Sequence, residues 1–199
     1  MSYFEKYPKV VTTQKDGTRS VMVNLMARSS IIQTLLDNPL LFYTYDVQDG
    51  ETPEMIAHRY YNDSYYYWLI LYANEITDPQ WGWPLDRASF ERYIIEKYTS
   101  ENPYSTIHHY EKVITQFESS TRTTTEKKIT IDEETYNNLT PSKTVYDFPT
   151  STTTITISKN AVTLYQYELE LNESKRSIKV IKKEFAETVN AQFETLMSE

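Results

Sequence analysis

The chain has 199 residues, no cysteine, only three glycines and a net charge of −8. This length holds one medium domain or two small ones, and folding at this size buries roughly 70% of the unfolded surface without a metal or disulfide staple. Disulfides, zinc–thiolate centres and cysteine nucleophiles are excluded. The anionic balance opposes nonspecific binding to a phosphate backbone, and Gly17, Gly50 and Gly82 are too scattered for a phosphate-cradling loop.

Residues 1–41 read as an N-terminal arm with a short helix. Tyr3, Phe4, Tyr7 and Pro8 form an aromatic cluster too small to make its own core. The start lacks a basic segment followed by an apolar run, so no secretory signal is expected, and no apolar stretch approaches the ~20 residues of a membrane span. Lys15-Asp16-Gly17-Thr18 is a turn signal between β-prone runs. From Val21 to Leu36 the apolar residues are scattered, and Ile31 to Leu36 is predicted to be helical, stopping at Asp37-Asn38-Pro39. An arm of this kind is expected to dock on the next domain or on another chain.

Residues 42–100 open with Phe42, Tyr43, Tyr45 and Val47, a strand pattern turned by Asp49-Gly50. Thr52 is a good helix N-cap, and Pro53 suits the first helical position, where no backbone N–H is needed. Met55, Ile56, Arg59 and Tyr60 carry helical spacing, and Asn62-Asp63-Ser64 ends this helix and starts the next. In that second helix Trp68, Leu69, Leu71, Tyr72 and Ala73 build the packed face, with Asn74 as the break. An extended exit, Asp78 to Leu85, follows. Asp86 to Tyr98 is predicted to be a further helix, with Phe90, Tyr93, Ile94 and Tyr98 at helical spacing.

Residues 101–175 turn rich in Thr and Ser. Ile129-Thr130-Ile131 and Ile155-Thr156-Ile157 read as strands, as does the alternation of Tyr165, Tyr167, Leu169 and Leu171 with Gln166, Glu168 and Glu170. Asn172 to Lys175 is predicted to be a turn. Residues 176–199 hold a strand at Ile178-Lys179-Val180 and an amphipathic helix from Lys183 to Met197. Its stripe is Phe185, Val189, Phe193 and Leu196, with Ala186 and Ala191 as small neighbours. The fold class is α+β.

Chemistry is sparse. Glu54 and His58 share a helix face without further metal ligands, so a surface ion pair or a satisfied histidine is the expectation. His108 and His109, if in a strand, face opposite sides and do not chelate one ion. Glu51 with Glu54, or Glu133 with Glu134, lacks the geometry of a glycosidase acid/base pair, which sets two carboxyls ~5–9 Å apart across a cleft. No catalytic residue, cofactor or metal is assigned. Trp81 and Trp83 flank Gly82; either they stack on a sugar, or they pin the exit or meet a protein. The second reading is preferred because Trp concentrates at binding hot spots. The 18 tyrosines fit a protein interface or a tyrosine-rich core.

The order strand, helix, helix, exit over Tyr45 to Leu85 resembles a lysin motif (LysM), which implies a βααβ binding module. Asp49 to Glu54, Ile56-Ala57, Tyr61 to Ser64, Tyr67 to Leu71 and Asn74 together resemble the baseplate wedge protein of contractile-tailed bacteriophages, the gene-fifty-three family of T-even phages. The most specific part is the exit, Asp78-Pro79-Gln80-Trp81-Gly82-Trp83-Pro84-Leu85. Tyr3 to Pro8 and Arg176 to Ile181 resemble the family as well. The likeness is strong over residues 1–100, reappears at 176–199 and is weak between them. It implies a non-enzymatic virion subunit of the tail baseplate, assembled in the host cytoplasm in several copies, which joins neighbouring wedges around the central hub. Implied partners are wedge-core proteins, the sheath-initiator protein and the hub, with no nucleic acid or membrane. The candidate interface residues are Tyr3, Phe4, Tyr7, Gly50, Thr52, Pro53, Asp78, Pro79, Trp81, Trp83, Phe185 and Phe193. The alternative is binding of peptidoglycan, an N-acetylglucosamine polymer.

Overall fold

A computed structural model describes residues 7–24 and 39–198, with side chains through Thr195. The expectations for Tyr3, Phe4, the helix over Ile31 to Leu36 and the Leu196 side chain lie outside the described residues. The chain forms two compact units: residues 1–87 with 172–199, and residues 88–171. These cut across the four-segment division read from sequence, because the first unit closes only when the end of the chain returns to it.

The first unit begins with a hairpin, β1 (Lys9–Thr13) and β2 (Arg19–Val23), turned as expected at Asp16-Gly17. Gly17 sits at φ +84°, a left-handed value that favours glycine. A 3-10 turn at Pro39–Leu41 leads into β3 (Phe42–Asp46). The two predicted helices follow, α1 (Pro53–Tyr61) and α2 (Tyr67–Ala73). Thr52 caps α1 by accepting from Met55 N–H, Pro53 takes the first helical position, and Asn62 ends the helix at φ 66°. Ile56, Ala57 and Tyr61 face inward, whereas Met55 is exposed; the buried stripe is displaced by one residue from the one read in the sequence.

The predicted extended exit instead contains a short helix, α3 (Pro79–Gly82). Asp78 accepts from Gln80 N–H and Pro79 occupies the first turn, which repeats the Thr52-Pro53 start signal.

Residues 42–100 contain one strand among those described, and its partner is distant in sequence. β3 pairs antiparallel with β8 (Ser177–Ile181), Tyr43 opposite Val180 and Tyr45 opposite Ile178. Asn74 lies along the outer edge of β8. Its side chain donates to Lys179 O (2.8 Å) and accepts from Lys179 N–H (2.8 Å), while also donating to Ile70 O at the end of α2. The terminal helix α7 (Lys183–Ser198) is amphipathic as expected, and Ala186 and Phe193 enter the core. That core joins Val47, Ile56, Leu69, Ile70, Trp83, Ile178 and Val180.

Tyrosines line its margin. Tyr60 lies edge-on to Tyr43 (6.1 Å) and Tyr61 (4.9 Å), and Tyr61 packs against Tyr66 (5.4 Å). The Tyr61 hydroxyl is buried, donates to Ile181 O at 2.7 Å and is pushed up in pKa by that burial. This part of the tyrosine content therefore serves the interior.

The second unit takes in α4 (Arg87–Lys97) from Ala88 on, β4 (Ile107–Glu118), β5 (Thr123–Ile131), the short α5 (Glu133–Asn138), β6 (Ser142–Asp147), β7 (Thr152–Thr163) and α6 (Leu164–Ser174) as far as Leu171. The sheet is antiparallel, in the order β5-β4-β7-β6. β5 and β6 are exposed almost throughout, and β4 and β7 are mostly half-buried. Threonine suits such a sheet, since it keeps the branched β-carbon that favours strands and adds a hydroxyl for water. Lys127, Lys128 and Lys143 on the outer strands discourage edge-to-edge pairing.

The alternation at Tyr165–Leu171 does not form a strand; it lies in α6. Leu164, Glu168 and Asn172 are buried at intervals of four, so two of the three inward positions are polar. A reciprocal capping box starts the helix: Gln166 N–H donates to Thr163 Oγ1 (3.2 Å), and Thr163 N–H donates to Gln166 Oε1 (3.0 Å). The turn expected at Asn172–Lys175 overlaps the last residues of α6: Lys175 N–H donates to Asn172 O (3.2 Å), and Arg176 N–H donates to Glu173 O (3.0 Å).

Glu168 organises this unit's helices. It is 6% exposed and accepts from Lys97 Nζ (2.7 Å), Tyr98 OH (2.8 Å) and Tyr93 OH (3.2 Å). Burial alone would raise its pKa, but these bonds outweigh it and hold the carboxyl below its usual value. A depressed carboxylate contributes stability above its unfolded value, near 4.5, that is lost as pH falls through the folded value. Glu168→Gln is therefore expected to cost about 1–2 kcal/mol at pH 7, discounted because Lys97 is partly solvated. In urea titrations the gap from wild type should start to close as pH falls below the unfolded value of 4.5; a gap that stays constant on acidification would show that ionisation contributes nothing.

Candidate protein interface

In the first unit, the turn at Gly50 and the exit around Trp83 meet. Gly50 adopts φ +77° and turns the chain from β3 toward α1. Immediately after it, Glu51 accepts from Gln48 N–H (2.9 Å), Tyr45 OH (2.8 Å) and the Arg59 guanidinium. Partial burial would raise the Glu51 carboxyl, but the bonds from Arg59, Gln48 and Tyr45 prevail and lower it. An ionised, multiply bonded carboxylate fixes a turn; it does not supply the proton that a glycosidase acid must give.

The backbone of the same residue receives the exit segment. Trp83 is 8% exposed and its Nε1–H donates to Glu51 O at 2.8 Å. Leu85 is held by Asn172, which accepts from its N–H (2.8 Å) and donates to its C=O (3.0 Å). Lys175 Nζ donates to Trp81 O at 2.7 Å. Gly82 lets α3 lie close to Ile76, because a Cβ there would stand 2.7 Å from Ile76 Cγ2.

The two tryptophans thus have separate places. Trp83 is interior and Trp81 is 55% exposed, with Asp78 and Pro79 exposed beside it in sequence. Of the other expected interface positions, Pro53 and Phe193 are buried in the first unit. Tyr7 and Phe185 are half-buried against the core, Gly50 is exposed at its turn, and Thr52 is exposed and occupied in capping. The exposed apolar set adds residues that sequence reasoning did not single out: Val10, Val11, Val21 and Met22 on the hairpin, and Val145, Tyr146 and Phe148 at the sheet edge.

The histidine pair departs from expectation. A register irregularity between Ile107 and His109 turns both rings the same way, with Nδ1 atoms 2.8 Å apart. His108 stacks on Tyr167 at 3.8 Å, and His109 Nε2 lies 3.3 Å from Glu111. Among the described residues no group of three or more His, Cys, Asp or Glu is placed to hold a metal ion, and no helix is long and apolar enough to cross a membrane.

The sequence matches the family described as base plate wedge protein 53 over residues 13–198. This chain belongs to that family. It is also similar to the baseplate wedge protein gp53 of Enterobacteria phage T4, with 27% identity over 66 residues. That alignment spans only about a third of either protein, 33% of this chain and 34% of the T4 protein. Family membership makes the chain a component of a phage tail baseplate. The family match includes the hairpin from Thr13 onward, the Trp-flanked exit and the returning strand β8.

Proposed function

We propose that this chain joins neighbouring wedges around the central hub during tail assembly, with wedge-core proteins, the sheath initiator and the hub as its neighbours. Its first unit acts as a lysin-motif-like adaptor that binds protein. The observation that carries the reading is the division of labour in the exit: Trp83 is spent on holding the segment in place, while Trp81 is presented to the outside. An aromatic side chain on a backbone already held in place is a common interface anchor, because less of the chain has to be ordered on binding. What supports the lysin-motif comparison is the order strand, helix, helix and antiparallel strand in β3, α1, α2 and β8, with residues 88–171 placed between the second helix and the last strand.

Complementation tests this reading. Phage with a disrupted copy of the gene should accumulate wedges that do not close into baseplates, and wild-type protein supplied in the host should restore closed rings. Trp81→Ala is expected to keep the unfolding midpoint and to weaken wedge association by about 30-fold, in the range of a single aromatic anchor. Baseplates that close without the chain would sink the proposal. Retention of the protein on insoluble peptidoglycan, abolished by Trp81→Ala, would assign the exposed ring to sugar binding instead.

A further inference from the structure

The hairpin β1–β2 has no role in the core just described, yet it is built to hold its shape. At the tip, Asp16 Oδ1 accepts from both Thr18 N–H (3.0 Å) and Thr18 Oγ1–H (2.6 Å), and Gln14 N–H donates to Thr18 O. At the base, Asn24 N–H donates to Pro8 O at 2.7 Å. The preceding residue, Tyr7, lies edge-on to Phe193 at 6.4 Å and packs against the core, so the ribbon is anchored at its root. An isolated two-stranded ribbon is marginal in water. These restraints shape the ribbon in advance and reduce the ordering cost of docking it.

Its two faces follow from the register. Lys9 pairs with Val23, Val11 with Val21, and Thr13 with Arg19, which puts three valines on one face between two cations. Val11 is 61% exposed and Val21 65%. The ribbon and its turn carry Lys9, Lys15 and Arg19 against a single acid, Asp16, in a chain whose net charge is −8. This is a cationic, apolar strip on an anionic protein.

We propose that the face bearing Val11, Val21 and Val23 docks on a different baseplate protein, against an apolar surface framed by carboxylates. The inference rests on the reading of the chain as an assembly subunit and specifies one of its contacts. The charges select the occupant. Desolvating Lys9 and Arg19 beside the valines is costly unless each meets an anion. Packing of two copies through the same face would bring the cations of both together, which disfavours a second copy of this ribbon.

The test uses full-length protein and wedges purified from cells infected with phage lacking the gene. Val11→Thr with Val21→Thr keeps the branched β-carbons but puts hydroxyls on the apolar face. Lys9→Glu with Arg19→Glu reverses the frame, and Lys9→Arg with Arg19→Lys preserves it. The expected result is wedge binding weakened about tenfold or more by the threonine pair. The glutamate pair should weaken binding strongly at 50 mM salt and less at 300 mM, because screening removes the repulsion, and the conservative pair should bind as wild type. Unchanged unfolding midpoints and amide-exchange protection in the ribbon would show that the fold is intact. Equal wedge binding by all variants would overturn this contact while leaving the assembly role standing. No wedge binding by wild type would remove the assembly role itself. A dimer of the chain alone, lost in the threonine pair, would assign the face to a second copy and overturn the proposal.

Discussion

Phe193→Ala is expected to destabilise the free protein by about 3–5 kcal/mol, the range for emptying a buried aromatic site. Phe193 is 3% exposed, lies 4.7 Å from the Trp68 ring, and also meets Tyr72 and Tyr7 at 6.4 Å each. It is the residue through which α7 and the root of the hairpin share one aromatic cluster. Urea unfolding followed by tryptophan fluorescence measures the effect, with Trp68 reporting from the cluster itself. Phe185→Ala provides the comparison: Phe185 is only partly buried, and about 1–2 kcal/mol is expected from the smaller area removed from water. A Phe193→Ala protein that unfolds like wild type and fails only in baseplate assembly would show that Phe193 serves a partner rather than the core.

The pair Phe193 and Trp83 shows where sequence reading stops. Their element positions were legible: an amphipathic helix of period 3.6 at the C-terminus, and an aromatic segment after Asp78-Pro79. Burial was not, because large aromatic residues occupy both cores and interfaces. The local signals that held were those with a single physical meaning. Thr52-Pro53 started a helix, Asn62 ended one, and Asp16-Gly17 turned a hairpin. The same kind of signal was present and unread in Asp78-Pro79 and in Thr163 with Gln166, and both start helices.

Long-range facts were the harder class. Nothing in Phe42 to Asp46 says that its partner lies at Ser177 to Ile181, since strand pairing depends on what the intervening chain does. Polar core positions misled in a different way. Glu168 and Asn172 carry the inward face of α6, and a hydrophobic pattern search passes over residues whose burial is made acceptable by hydrogen bonds. The exposed valines of the hairpin were readable as β-formers, but that they remain uncovered needed the structure.

Substitutions at Trp83 separate holding the exit from presenting it. Trp83→Ala removes both the ring volume and the bond to Glu51 O, and a loss of about 3–5 kcal/mol is expected. Trp83→Phe keeps most of the packing but leaves the Glu51 carbonyl without this donor, for a loss of about 1–3 kcal/mol. Thermal unfolding of the purified variants reads both values. The assembly consequence follows from connectivity. Gly82 and Trp81 immediately precede Trp83, and α3 is capped by Asp78 and tied through Lys175 to Trp81 O. When Trp83 no longer fixes the end of α3, the Trp81 ring is presented over a wider range of positions and the ordering cost of binding returns. Trp83→Phe should therefore weaken wedge association by a few-fold, less than Trp81→Ala, while lowering stability more than Trp81→Ala does. If Trp81→Ala instead costs the free protein as much stability as Trp83→Ala, the exposed ring is a packing residue, and the division between anchor and presented side chain does not hold.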